Sequence, residues 1–203
     1  MIKNLIFDFG KVLVDYDYEA FFLKYIPDET KRKAIPSIFN YDLQMVIDRE
    51  AKPFSAIMDD LISRNKEMEA EIRIFEEHYT EVVTEEIAGM KDLLTRLKAE
   101  GYKLYGLSNW CSKVYITMAQ FDIFKLLDGY VISSEEKLVK PDPEIYECLF
   151  NRFGLKPEEC IFTDDRTDNI EGGRSLGMEG IVFLNAKQYE EELRGILDNQ
   201  VNN

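Results

Sequence analysis

Asp8 stands at the end of an unbroken apolar run, Leu5-Ile6-Phe7, and Phe9-Gly10-Lys11-Val12-Leu13-Val14 follow it at once. A run without polar alternation reads as a strand covered on both faces, as in a parallel sheet. In open parallel sheets ligands bind beyond the carboxyl ends of the strands, so such a strand aims one carboxylate at a crevice. Taken alone, Asp8 is equally well a turn residue bonding to its own local backbone. Two later runs end in the same manner. Tyr102 to Leu107 leads into Ser108-Asn109, and Cys160-Ile161-Phe162-Thr163 leads into Asp164-Asp165. Between them lies Lys140-Pro141-Asp142-Pro143, whose prolines restrict the backbone and open a helix predicted over 143–153, which could hold Lys140 at a fixed angle. Together these positions offer what a phosphate-handling site needs: acids, hydrogen-bond donors and an ammonium.

The charge balance sharpens this. Lys and Arg number 25 against 39 Asp and Glu, a formal net charge of −14. Such a surface repels nucleic-acid phosphates, so no nucleic-acid partner is expected. It opposes a phosphorylated substrate too, unless a local cation overcomes the protein's own field, and Lys140 alone is too little beside Asp8, Asp164 and Asp165. Clustered carboxylates therefore predict bound Mg²⁺, a hard cation suited to oxygen donors, waters and substrate phosphate. Cys111, Cys148 and Cys160 are odd in number and lack metal-type spacing, and the only histidine is His78. Reduced thiols are expected, with Cys148 and Cys160 as small core residues, and a cysteine–histidine mechanism has little to work with.

The positioning elements follow from periodicity. The sequence predicts helices over 18–26, 29–39, 42–50, 54–64 and 67–82, with no strand-like run between about Tyr16 and Thr84. After them comes a regular alternation: helix 87–100, strand 102–107, helix 112–120, strand 129–133, helix 143–153, strand 160–163, helix 169–176, strand 180–184, helix 187–197. This predicts an α/β fold, a Rossmann-like parallel sheet wound with helices on both faces, with an inserted small α-helical cap. The expected boundaries are a core of 1–15 and 85–203 and a cap of 16–84. Gly101, Gly154 and Gly177 each fall where a helix should end. Asp168 with Glu171 fits a capping box, which leaves Asp168 open to either a capping or a supporting role at the site. Asp198 to Asn203 reads as a frayed polar tail. With 203 residues the chain can bury about 70% of its unfolded surface. No apolar stretch approaches the roughly 20 residues of a bilayer span. Met1-Ile2-Lys3-Asn4 leads straight into the first strand with no signal-like segment, so a cytoplasmic protein without a membrane partner is expected.

Asp8, Ser108-Asn109, Lys140 and Asp164-Asp165, in this order and spacing, resemble the four sequence motifs of the haloacid dehalogenase superfamily. The resemblance is closest to its phosphatase-like branch with a small helical cap. Ile2 to Asp17 and Thr163 to Gly173 are similar to sugar phosphatases that act on glucose 1-phosphate. The resemblance implies that Asp8 attacks phosphorus and forms an aspartyl-phosphate that water later hydrolyses. A carboxylate needs no helper base for this at pH 7. It implies that Lys140 neutralises the nucleophile and the transferring oxygens, that Ser108 and Asn109 donate to the phosphoryl group, and that Asp165, with Asp164 beside it, holds Mg²⁺ together with Asp8 and the Gly10 carbonyl.

One departure stands out. These phosphatases usually carry a second aspartate two residues after the nucleophile, acid toward the leaving alcohol and then base toward water, and here that residue is Gly10. The glucose 1-phosphate enzymes also tolerate glycine there. Loss of the group should spare metal binding but remove a proton-transfer step worth typically 10² to 10⁴ in rate. Neither Lys11 nor Asp15 has the offset to replace it, and a solvent molecule or a substrate hydroxyl could equally do so. The leading expectation is a Mg²⁺-dependent phosphatase of a small phosphorylated metabolite. A catalytically weak binder of a phospho-ligand or partner protein is the alternative. A metal-free 2-haloacid dehalogenase is disfavoured by the surplus acids at 164–165. Phe21, Phe22, Tyr25, Phe39 and Tyr41 could line a sugar pocket, but their spacing is better explained as a helical core.

Overall fold

In a computed structural model of the protein, residues 1–201 are described. The first apolar run forms strand β1 (Asn4–Phe7), buried along its whole length. It is the middle strand of a five-stranded sheet with β4 (Lys103–Ser108), β5 (Gly129–Ile132), β6 (Cys160–Asp164) and β7 (Glu179–Val182), in the order β5-β4-β1-β6-β7. Every pairing in it is parallel, with Leu5 level with both Leu104 and Ile161. The pleat divides β1 between two cores. Leu5 and Phe7 join Leu94 and Leu97 of helix α6 (Met90–Ala99) and Tyr189 and Leu193 of α11 (Ala186–Val201). Ile6 points the other way, into a cluster with Ile145 and Leu149 of α9 (Pro143–Phe153) and Ile170 of α10 (Thr167–Arg174). The sheet is thus wound with helices on both faces, as expected. Gly154, with φ of 64°, ends α9 in the left-handed conformation predicted for it.

Between β1 and α6 lies a helical insertion of α1 (Tyr18–Tyr25), α2 (Glu29–Ile38), α3 (Tyr41–Arg49), α4 (Phe54–Arg64) and α5 (Glu69–His78). Side chains of Asp17, Asp28 and Asn40 cap the first three of these by accepting from backbone amides of the first turn. The insertion has its own aromatic centre. Phe75 is 1% exposed and lies within 6.5 Å, ring centre to ring centre, of Phe21, Phe22, Phe39, Phe54 and Tyr79. Phe21, Phe22 and Phe39 are therefore helical core. Tyr41 is half exposed and faces a cavity instead.

Several expectations need correction. The span 16–84 is not free of strands: β2 (Val14–Tyr16) and β3 (Val83–Glu86) form an antiparallel pair at the root of the insertion. They escaped notice because each is short and carries acids, Asp15, Glu85 and Glu86, in place of an apolar alternation. The predicted helix 67–82 is a 3₁₀ turn, α5 and a second 3₁₀ turn. Two short helices, α7 (Val114–Gln120) and the one-turn α8 (Ser133–Glu136), flank β5; the second was not foreseen. The capping box fails, since Asp168 lies inside α10 and pairs with Arg166 at 2.6 Å, and no side chain caps that helix. The polar tail is helical through Val201; Asn202 and Asn203 lie outside the described residues. The three cysteines are free thiols, Cys160 buried in β6 and Cys148 half-buried in α9. Among the described residues no helix is long and apolar enough to cross a membrane.

Candidate active site

At the end of β1 the Asp8 amide still follows the ladder, donating to the Thr163 carbonyl at 2.9 Å. The chain then turns sharply: the amides of Leu13 and Val14 both donate to the Phe9 carbonyl, and Lys11 takes a φ of 61°. This turn leaves Asp8 at the carboxyl end of the central strand, where Oδ1 accepts from the Phe9 amide at 2.7 Å. Lys11 and Asp15 pair with each other, and Lys11 Nζ also donates to the Tyr16 carbonyl at 2.8 Å. Neither lines the cavity described below.

Lys140 reaches Asp8 from the loop before α9. Its Nζ sits 2.9 Å from Asp8 Oδ1 and 2.6 Å from Asp164 Oδ2, and the residue is 1% exposed. Burial works to lower the ammonium, but Asp164 and Asp8 outweigh it and hold it above its ordinary value. Burial likewise pushes the Asp8 carboxyl up to about 7, with Lys140 pulling against it. Asn109, at the end of β4, fixes the lysine's backbone: Oδ1 accepts from the Lys140 amide at 2.8 Å and Nδ2 donates to the Lys140 carbonyl at 2.9 Å. The asparagine is thus turned mainly toward holding Lys140, with one further N–H on Nδ2 for a ligand. Asp164 is fully engaged, taking bonds from Lys140, from the Arg166 amide at 2.9 Å and from Asn169 Nδ2 at 3.0 Å. Close packing supports this corner. A Cβ on Gly172 in α10 would come within 2.9 Å of both the Pro141 carbonyl and the Tyr146 hydroxyl.

Above these groups opens a cavity of about 330 Å³, lined by Asp8, Gly10, Ser108, Asn109, Lys140 and Asp165 from the sheet side. Tyr16, Tyr41, Gln44 and Asp48 line it from the insertion and its root. Two residues of its wall carry buried donors, Ser108 Oγ and Trp110 Nε1, that have no hydrogen-bond partner among the described residues. Buried polar groups are rarely left unpaired, so both fit a ligand that brings acceptors. Asp165 is exposed and forms no ion pair among the described residues. Oxygen atoms of Asp8, Asp164 and Asp165 lie within 4.8 Å of one another. With three carboxylates and one ammonium, this donor set fits a hard divalent cation, and Asp8 and Asp165 are the acids with capacity left for it. Every sequence-predicted position thus falls in one place. Tyr16 and Asp48 were missed. The only trace of Asp48 in the sequence is an acid next to Ile47 on the buried side of a helix, one turn after Gln44.

Three strand ends and a buried lysine between two aspartates thus meet at one cavity that a helical insertion also lines. The chain belongs to the haloacid dehalogenase-like hydrolase family, whose sequence pattern matches residues 5–183. It is 26% identical over 212 aligned positions to a D-ribitol-5-phosphate phosphatase of Bacteroides thetaiotaomicron, covering 98% of this chain and 100% of that one. It is 30% identical over 105 positions to flavin mononucleotide hydrolase 1 of Arabidopsis thaliana, a match that takes in 52% of this chain and only 43% of that protein. The fold is shared with a haloacid dehalogenase family enzyme of Bacteroides thetaiotaomicron solved with magnesium and inorganic phosphate, at a TM-score of 0.76 and 22% identity, over 92% of this chain and 96% of that one.

Proposed function

We propose that the protein is a Mg²⁺-dependent phosphomonoesterase of a small phosphorylated metabolite, with residues 1–15 and 85–203 as its core and 16–84 as a cap that selects the substrate. The observation that carries this reading is the Lys140 ammonium between Asp8 and Asp164, beside the unpartnered Ser108 hydroxyl. Asp8 and Asp165 would hold the cation, with the Gly10 carbonyl as a third donor. Bound there, Mg²⁺ supplies positive charge to the phosphoryl oxygens and offsets the repulsion between substrate and carboxylates. Asp8 attacks phosphorus, and the ester oxygen leaves. Lys140 shields the nucleophile from the incoming anion, and Ser108 with the free N–H of Asn109 binds the equatorial oxygens. Water then cleaves the aspartyl-phosphate and frees Asp8. The full-length likeness to a sugar-alcohol phosphatase supports a phosphorylated polyol or sugar as the substrate class.

The test is hydrolysis of a panel of phosphorylated metabolites by wild type and Asp8→Asn. Excess EDTA should abolish turnover, and the variant should stay folded while losing at least about a thousandfold, since an amide cannot attack phosphorus. Full activity in Asp8→Asn sinks the covalent route. Gly10 favours a second reading, a phospho-ligand binder with little turnover. Tight binding of phosphate esters without hydrolysis of any would put it first.

A further inference from the structure

The reading above leaves the departing alkoxide without a proton donor. Position 10 cannot supply one, and its neighbour is an aromatic ring: a Cβ built on Gly10 would lie 3.0 Å from Cε1 of Tyr16. Tyr16 is itself a poor replacement, because burial, then Asp165 and Asp8, push its phenol up to about 12. Lys11 and Asp15 are tied to each other outside the cavity.

One other acid faces the cavity from the insertion. Asp48, near the end of α3, is 5% exposed and lines the same space as Asp8, Gly10, Ser108 and Asp165. Its Oδ1 accepts from Gln44 Nε2 at 2.8 Å, and it forms no ion pair among the described residues. The segment carrying it is anchored to the core. Ser133 Oγ donates to the Asp48 carbonyl at 2.5 Å, and Glu50 accepts from the Ser112 amide at 2.6 Å and from the Ser112 hydroxyl at 2.8 Å. Lys137 Nζ donates to the Glu50 carbonyl at 2.5 Å. A buried carboxyl without a cation among the described residues, oriented by one amide and fixed in the wall of the cavity that the nucleophile also lines, is an unusual thing to build into a core.

We infer that Asp48 is the catalytic acid and base of this enzyme, carried by the insertion in place of the missing group at position 10. The inference rests on the phosphatase reading. In the first step an Asp8 oxygen forms its bond to phosphorus, the bond from phosphorus to the ester oxygen breaks, and that oxygen keeps the electron pair and takes the Asp48 proton. In the second, water attacks phosphorus and gives one proton to the Asp48 carboxylate. The bond from phosphorus to Asp8 breaks with its pair returning to Asp8, and orthophosphate leaves with Asp48 protonated again.

The surroundings suit both roles. Burial, partly opposed by the Gln44 bond, pushes the Asp48 carboxyl up to about 8, with Asp8 raising it further and Lys140 and Arg166 lowering it. Tyr16, Tyr18, Tyr79 and Cys111 also face it, but burial raises each of them, so they are neutral at pH 7 and add no charge. An acid that titrates near the working pH is close to the optimum for proton transfer in both directions.

The experiment compares wild type, Asp48→Asn and Asp48→Glu with Mg²⁺ on a sugar-alcohol phosphate and on p-nitrophenyl phosphate, whose leaving group needs no proton. Asn preserves the Gln44 bond, and thermal melting checks the fold. In Asp48→Asn, kcat on the alkyl ester should fall about a hundredfold or more. Its aryl ester should still give a stoichiometric nitrophenolate burst near the wild-type rate, followed by slow turnover. Wild-type kcat/KM on the alkyl ester should decline above about pH 8, a limb absent in Asp48→Asn and restored in Asp48→Glu. A burst and an alkyl rate reduced by one common factor, or both unchanged, overturn the assignment while leaving a phosphatase. If wild type hydrolyses neither those two esters nor the metabolite panel, the phosphatase reading itself fails and the assignment falls with it.

Discussion

Lys140→Met replaces a buried ammonium with an apolar chain of similar length, and the structure sets the size of the effect. Lys140 is 1% exposed and Asp164 is fully buried, so the variant leaves two carboxylates facing each other with no cation between them. Removing one partner of a buried pair costs about 3–5 kcal/mol, because the remaining charge stays uncompensated. For a chain of this size each kcal/mol moves Tm by roughly 2–4 °C, so the variant should melt roughly 6–20 °C lower at pH 7.5 in EDTA. The pH dependence identifies the cause. Burial already raises Asp8, and losing Lys140 raises it further, so the folded variant binds protons more tightly than its unfolded chain. Stability from such a group is fully present below the unfolded value, near 4, and is lost as pH rises through the folded one. The gap between variant and wild type should therefore narrow as pH falls from 8 to 5, and added Mg²⁺ should narrow it at neutral pH. Calorimetry across that range is the assay. A deficit under about 1 kcal/mol, or one that is flat with pH, would falsify the view that Lys140 holds apart two charged carboxylates.

Two further outcomes test the frame around the site. Asn109→Ala removes both hydrogen bonds that fix the Lys140 backbone, together worth about 1–3 kcal/mol, and should lower kcat/KM more than tenfold; an unchanged value would show that the proline loop holds Lys140 unaided. Phe75→Ala empties the aromatic centre of the insertion and should cost about 3–5 kcal/mol in urea unfolding. A loss below about 1 kcal/mol would mean the rings around it repack without it.

The core was legible because a parallel sheet covered on both faces demands contiguous apolar runs, and Leu5-Ile6-Phe7 and Cys160-Ile161-Phe162 are such runs. Each run also points at its polar end, so Asp8, Ser108 and Asp164 came with the strands that carry them. What escaped depends on contacts remote in sequence. The β2–β3 pair joins Val14 to Glu86, and its strands are too short and too acidic to show a period. Asp48 lies 40 positions from Asp8 on a helix whose facing direction is set by tertiary packing, and nothing local separates it from a solvent-facing acid. The capping half of the Asp168 reading failed because the helix begins at Thr167 rather than at Asn169, and a shift of two residues turns a cap into an ordinary first-turn acid. Gly10 was read as an absence, whereas in space a side chain there would press on the Tyr16 ring at 3.0 Å.

The polar contacts at Asp48 and Glu50 bear on how the cavity is reached. The insertion is joined to the rest of the chain through the β2–β3 pair and is tied down again, on its far side, by Ser112, Ser133 and Lys137. A body held at its root and at a second place can turn about the root only by breaking the second set of contacts, here the hydrogen bonds made by Ser112, Ser133 and Lys137. The exposed Tyr41 ring, which lines the cavity from the insertion, lies 5.1 Å from the Arg166 guanidinium of the core. A ligand that enters by displacing the insertion would have to break those hydrogen bonds, so its binding would carry their cost.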